Sequence, residues 1–148
     1  MDVSGLIKRG MNQTAYIEAI GGEVLHVGGG TGKMRLPYSD KLVGDPDSGV
    51  VHGGVITGCL DHCCGMAVVS ALREAMPIAT LDLRIDYMKP ATPGAEIFFE
   101  AKCIRVTHEI AFVRASAFHT EGDPIALSTG AFIITRGAVP PLPHVKAD

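Results

Sequence analysis

Charge is scarce in this sequence and nowhere runs together. Charged residues make up 20% of 148, the formal net charge is -3, and lysines and arginines are scattered. Proteins that hold nucleic acid neutralise phosphates with clustered basic side chains, so the composition argues against that class. Long apolar runs are missing as well: none approaches the ~20 residues that cross a bilayer. The beginning, Met1-Asp2-Val3-Ser4-Gly5, has no basic segment followed by an apolar one. The expectation is a cytoplasmic protein that engages neither nucleic acid nor membrane. Cysteines number four, at 59, 63, 64 and 103. Three fall within one predicted helix and two are adjacent, a poor geometry for a disulfide framework, which predicts reduced, buried thiols.

What is present is apolar material, 47% of the residues, with a positive mean hydropathy. The length suits one domain over 1–148, with flexible tails expected at 1–13 and 138–148, the latter on Pro140, Pro141 and Pro143. The apolar surplus predicts self-association.

Periodicity divides the chain. A weak helical signal over 14–20 stops at Gly21-Gly22. Extended runs over 24–27 and 34–36 flank Gly28-Gly29-Gly30-Thr31-Gly32, a hairpin connection by composition. Lys33 after those glycines does not make a phosphate loop, because Val27 and Met34 stand where a glycine and a hydroxyl residue are needed. A loop over 44–49 leads into His52-Gly53-Gly54, and 55–74 then reads as a helix apolar almost all round, hence buried on most sides. Gly58 and Gly65 within it predict very close packing partners. After Pro77 the period changes to two: Leu81, Leu83, Ile85 and Tyr87 alternate with Thr80, Asp82, Arg84 and Asp86. Three more strands are predicted over 96–107, 110–120 and 125–136, joined by short turns of the antiparallel kind. One antiparallel sheet curled around one helix is the α+β arrangement that covers such a helix.

Residues 52–67, His-Gly-Gly-Val-Ile-Thr-Gly-Cys-Leu-Asp-His-Cys-Cys-Gly-Met-Ala, followed by Tyr87-Met88-Lys89-Pro90-Ala91, carry the chemistry. With this pattern the chain resembles the phenylacetate-degradation (PaaI-like) branch of the hotdog thioesterases, from about residue 14 to residue 136. The resemblance implies a hotdog fold and acyl-CoA hydrolysis in a homodimer or homotetramer. It implies no cofactor beyond the coenzyme A of the substrate.

The residues can also be read physically. Thioester hydrolysis needs a donor for the charge that develops on the carbonyl oxygen, and a group that activates water or attacks the carbon. A helix N-terminus offers unpaired N–H groups at its positive end, and Gly53-Gly54 lets a ligand approach them. Gly53 is the candidate oxyanion donor, and the resemblance points to the same residue. Close packing at a helix start is the simpler alternative for the glycine pair. Asp61 lies mid-helix among apolar neighbours, where an unpaired carboxylate is costly. It is either tied to a neighbouring element or used as general base or nucleophile. Eight residues separate it from Gly53, about 12 Å along a helix, too far for both to reach one thioester carbon. A two-fold dimer with antiparallel central helices would bring Asp61 of one protomer to Gly53 of the other.

Several neighbours are candidate substrate-site groups. His52, at the helix mouth, reads as an ordering residue rather than a base. Thr80 matches a position where the resembling enzymes carry a hydroxyl near substrate or water. An amide is common six residues before the histidine in those enzymes; Pro46 stands there, and Asp47 is the substitute available. Met66, Phe98, Phe99, Phe112 and Phe132 are candidates for an acyl pocket or for core. Lys89, Lys102, Arg105, Arg114 and Arg136 are candidates for the coenzyme phosphates. No metal is expected, since Cys59, His62, Cys63 and Cys64 point to different helix faces. The competing readings are a hotdog enoyl-CoA hydratase using Asp45, Asp47 and His52, and a non-catalytic acyl-CoA-binding protein.

Overall fold

The computed structural model describes residues 14–137, so the tails expected at 1–13 and 138–148 lie outside the described residues. Helix α1, Ala15–Ile20, ends at Gly21, whose φ of 76° lets the chain turn back while Gly21 and Gly22 donate to Glu18 and Ile17. Strands β1, Glu23–Gly28, and β2, Thr31–Leu36, form the expected hairpin. Its turn is only Gly29-Gly30, both with positive φ as a two-residue hairpin turn demands, so the strands reach further into the glycine run than composition suggested. A short 3-10 turn, Asp40–Leu42, precedes a small ribbon of β3, Val43–Asp45, and β4, Val50–Val51, which brackets the segment 44–49 read as loop and takes in its first two residues.

Helix α2 spans Gly53–Ala71. By length and composition its 19 residues would suit a membrane span, but Ile56, Leu60, Met66 and Val68 are buried against the sheet, as in the core helix of a globular domain. It begins two residues earlier than the apolar pattern indicated, because Gly53 and Gly54 belong to its first turn. It also stops three residues earlier, after Ser70 bonds back to Ala67 C=O at 3.0 Å while accepting from Gly30 N–H at 3.0 Å.

The sheet has six antiparallel strands in the order β1-β2-β6-β7-β8-β5, where β5 is Ile78–Tyr87, β6 Ile97–Val106, β7 Ile110–Thr120 and β8 Asp123–Ile134. It curls around α2, which is the hotdog architecture. Close approach is visible at Gly32 on β2: a Cβ there would lie 2.8 Å from Cys63 C=O. Gly58 is likewise occupied by the Tyr16 ring from α1, whereas Gly65 has only ordinary neighbours. Met66, Phe99 and Phe132, among the candidates for an acyl pocket, are buried in the core. Phe98, stacked on Phe118 at 6.1 Å between centroids, and Phe112 alternate with buried residues and so lie on the sheet face away from α2.

Strand β5 departs from strict alternation. Thr80 pairs with Phe132 and Asp82 with Ala131, leaving Leu81 as an extra residue, a β-bulge, 56% exposed. Cross-strand partners share a face, and Phe132 is buried under α2, so the bulge places Thr80 on the helix side. Alternation alone would have put Thr80 on the outer face with Asp82.

Candidate active site

His52 is the N-cap of α2, and its Nδ1 accepts from Gly54 N–H at 2.8 Å. A nitrogen that accepts carries no proton, so the neutral ring holds its hydrogen on Nε2. His52 thus orders the helix mouth, as its position suggested, and His52 N–H ties that mouth to Leu42 C=O at 2.8 Å. Gly54 has to be glycine for this cap, since a Cβ would stand 2.9 Å from Nδ1. His52 C=O accepts from Val55 N–H at 3.0 Å, which leaves the Gly53 N–H, on the opposite edge of the same peptide, without an acceptor among the described residues. It is an exposed donor at the positive end of a 19-residue helix.

Two hydroxyls converge on the other side of Gly53. Its carbonyl accepts from Tyr87 OH at 2.8 Å and from Thr57 Oγ1 at 3.2 Å, and the two hydroxyls touch each other. These contacts were not read from the sequence. By sequence Tyr87 belongs only to its motif and to the alternation of β5, and the hydroxyl at Thr57, one turn after Gly53, is the available signal. A cleft of about 410 Å³ opens here, lined by Val50, Val51, Gly53, Tyr87, Met88, Lys89, Pro90 and Ala91. Lys89, at this cleft, is also paired with Asp123. Lys102 and Arg114 sit opposite each other on neighbouring strands, and Arg136 Nε donates to His108 C=O.

Asp61 is half-buried rather than enclosed, and its Oδ1 accepts from Thr80 Oγ1 at 2.8 Å. The hydroxyl that the bulge turns inward is therefore its partner, while Oδ2 carries no bond to a described residue. Asp61 and Gly53 remain about 12 Å apart along α2, so within one chain the two groups are not brought together. Asp47 lies in the turn between β3 and β4, its N–H held by Asp45 Oδ1 at 3.1 Å, and does not line the cleft. Hydrogen bonds from Ser48 and from Asp47 N–H pull the Asp45 pKa down. That local turn is what Asp45 serves here.

The thiols offer no competing nucleophile. Burial pushes Cys59 up to about 12, and burial with the nearby Asp61 charge does the same to Cys64. Cys63, whose pKa burial also raises well above the usual thiol value, donates to Gly32 C=O at 3.3 Å. All four cysteines are free. A thiol that stays protonated is a poor nucleophile.

Comparison with known proteins identifies the family. The family model described as thioesterase superfamily matches residues 48–126, which include the cap, Gly53, Asp61, Thr80 and Tyr87. A Pseudomonas aeruginosa protein of known structure is 40% identical with a TM-score of 0.76, covering 86% of this chain and 95% of its own. A mutant of the phenylacetic acid degradation protein PaaI from Thermus thermophilus is 26% identical with a TM-score of 0.72, covering 81% of this chain and 98% of that one. The medium/long-chain acyl-CoA thioesterase YigI of Escherichia coli is 26% identical over 69% of this chain and 74% of its own. With the fold, the capped glycine turn and the matched segment in agreement, the chain belongs to the thioesterase superfamily and is a thioester hydrolase of the hotdog type.

Proposed function

We propose that the protein hydrolyses a small or medium acyl-CoA at two equivalent sites, each built from Gly53 of one protomer and Asp61 of a second. As the thioester carbon is attacked, its carbonyl oxygen takes up the electron pair and lies against Gly53 N–H. Asp61 either accepts a proton from the attacking water or attacks the carbon itself. In both routes the free Oδ2 does the work while Thr80 holds Oδ1. Collapse of the tetrahedral intermediate breaks the carbon–sulfur bond. In the water route the departing thiolate of coenzyme A takes the proton that water gave to Asp61, and the acyl group leaves as a carboxylic acid. In the direct route the acyl group stays on Asp61 as an anhydride until a water hydrolyses it, which frees the acid and the carboxylate and supplies the thiolate's proton. No cofactor beyond the coenzyme A of the substrate enters this chemistry, and the four free thiols suit a reducing cytoplasm.

The observation that carries the shared site is the role of β5. It is the outermost strand, beside β8. At one end it presents Thr80 to Asp61 and at the other Tyr87 to Gly53. A second copy joined antiparallel along that edge would set the acid end of each protomer against the donor end of the other, and two-fold symmetry would make the sites identical. Leu81, Tyr87 and Met88, each at least half exposed, are apolar side chains at this edge for such a joint to cover.

The decisive test mixes two variants. Asp61→Asn and Gly53→Ala are each expected to release little thiol from hexanoyl-CoA. Co-expressed, they form mixed dimers in which one of two sites is intact, and activity should return to a substantial fraction of wild type. If the mixed dimer stays as inactive as its parents, the site is not shared; if Asp61→Asn alone hydrolyses at the wild-type rate while folded, Asp61 has no part in it.

A further inference from the structure

We infer that Tyr87 is a positioning residue for the oxyanion donor, acting through the peptide between Gly53 and Gly54; this rests on the reading that Gly53 N–H receives the thioester oxygen. Glycine has the widest backbone freedom, and no helical bond restrains an N–H in the first turn. The direction of Gly53 N–H therefore depends on how the peptides on either side are held. The preceding peptide is fixed by Val55 N–H on His52 C=O at 3.0 Å. The following one is fixed at both edges, by Gly54 N–H on His52 Nδ1 and by Tyr87 OH on Gly53 C=O, both at 2.8 Å.

These restraints differ in origin. His52, Val55 and Thr57 belong to the helix mouth and move with it. Tyr87 comes from β5, 34 residues away in sequence, and references the donor to the strand on which Thr80 holds Asp61. The ring also stands 3.7 Å from where a Gly53 Cβ would be, forming one flank of the cleft. A bond from a half-exposed hydroxyl to a first-turn carbonyl contributes little to stability. Its use is orientation: a donor misplaced by an ångström loses much of its effect on the developing charge.

The test is Tyr87→Phe, which keeps the ring and removes the hydroxyl, assayed by thiol release from hexanoyl-CoA beside Gly53→Ala. The expected result is a kcat lowered about tenfold or more with KM within about twofold and an unchanged assembly, since only charge stabilisation is impaired. Unchanged kcat, or a rise in KM alone, overturns the role. If Gly53→Ala is crippled while Tyr87→Phe is not, the donor stands and Tyr87 falls. If Gly53→Ala keeps its rate, both fall, whatever Tyr87→Phe does. Should the phenylalanine variant fail to fold, Thr57→Val removes the hydroxyl that shares the same carbonyl. Its kcat is then expected to drop at least about threefold with KM held, and an unchanged kcat overturns the proposal.

Discussion

Two adjacent glycines in the first turn of α2 should respond in opposite ways to the same added methyl group. At Gly53 a Cβ would sit 3.7 Å from the Tyr87 ring, an ordinary contact, and φ is not positive there. Alanine is favoured over glycine in a helix by up to about 1 kcal/mol, so Gly53→Ala should melt at the wild-type temperature or as much as about 4 °C above it. The methyl group would nevertheless stand in the cleft beside the free N–H. Losing one oxyanion contact costs about 10²–10³ in kcat, or roughly 2.7–4 kcal/mol. At Gly54 the Cβ would lie 2.9 Å from His52 Nδ1 and 3.1 Å from Cε1, so the imidazole must swing away and the cap is lost. That costs about 1 kcal/mol and a few degrees of Tm. Thermal melts paired with steady-state hydrolysis of hexanoyl-CoA separate the cases: Gly53→Ala stable and inactive, Gly54→Ala destabilised with a smaller loss of rate. A Gly53→Ala protein that melts early yet turns over normally would refute the reasoning.

Gly32→Ala should be destabilising for a different reason, because its Cβ would meet backbone, Cys63 C=O at 2.8 Å and Ala67 N at 3.2 Å. Overpacking of this kind costs about 1–3 kcal/mol, and a melting temperature unchanged from wild type would show that β2 can move off α2 freely. The raised thiol pKa values set a chemical prediction. Because a raised pKa leaves less thiolate at a given pH, iodoacetamide at pH 8 should modify partly exposed Cys103 first and reach Cys59, Cys63 and Cys64 only on unfolding. Mass spectrometry showing rapid labelling of Cys59 or Cys64 in the folded protein would contradict the burial described for them.

Much of the fold was readable from residue order alone. The apolar stretch following His52 was readable as a helix buried on most sides. The strands from β6 to β8 announced themselves by alternation and by turns such as Glu121-Gly122. The helix boundaries were misplaced because glycine argues against helix locally, whereas a cap formed by the His52 side chain overrides that preference at Gly53 and Gly54. At the other end, Ser70 serves the β1–β2 turn, a long-range contact that no local pattern reveals. Of the site, the glycine pair and Asp61 could be picked out by residue type and spacing, and Thr80 by the family resemblance. The hydroxyls on the Gly53 carbonyl could not, since Tyr87 reads locally as one more residue of a strand. The face of Thr80 was equally hidden, because strict alternation has no way to anticipate an extra residue.

That extra residue, Leu81, makes no ladder pair and is largely in solvent, and by those criteria it would be judged dispensable. What decides parity is that it stays outside the ladder. Positions 82–87 count off even and odd from one side of it and 78–80 from the other. Taken into the ladder as an ordinary residue, Leu81 would leave Tyr87 where it is and turn Thr80 and Ile78 outward together, taking the hydroxyl from Asp61 and a partly buried isoleucine from the core. The side chain at 81 can vary, and its loss would keep both faces, but a regular pairing that includes it would not.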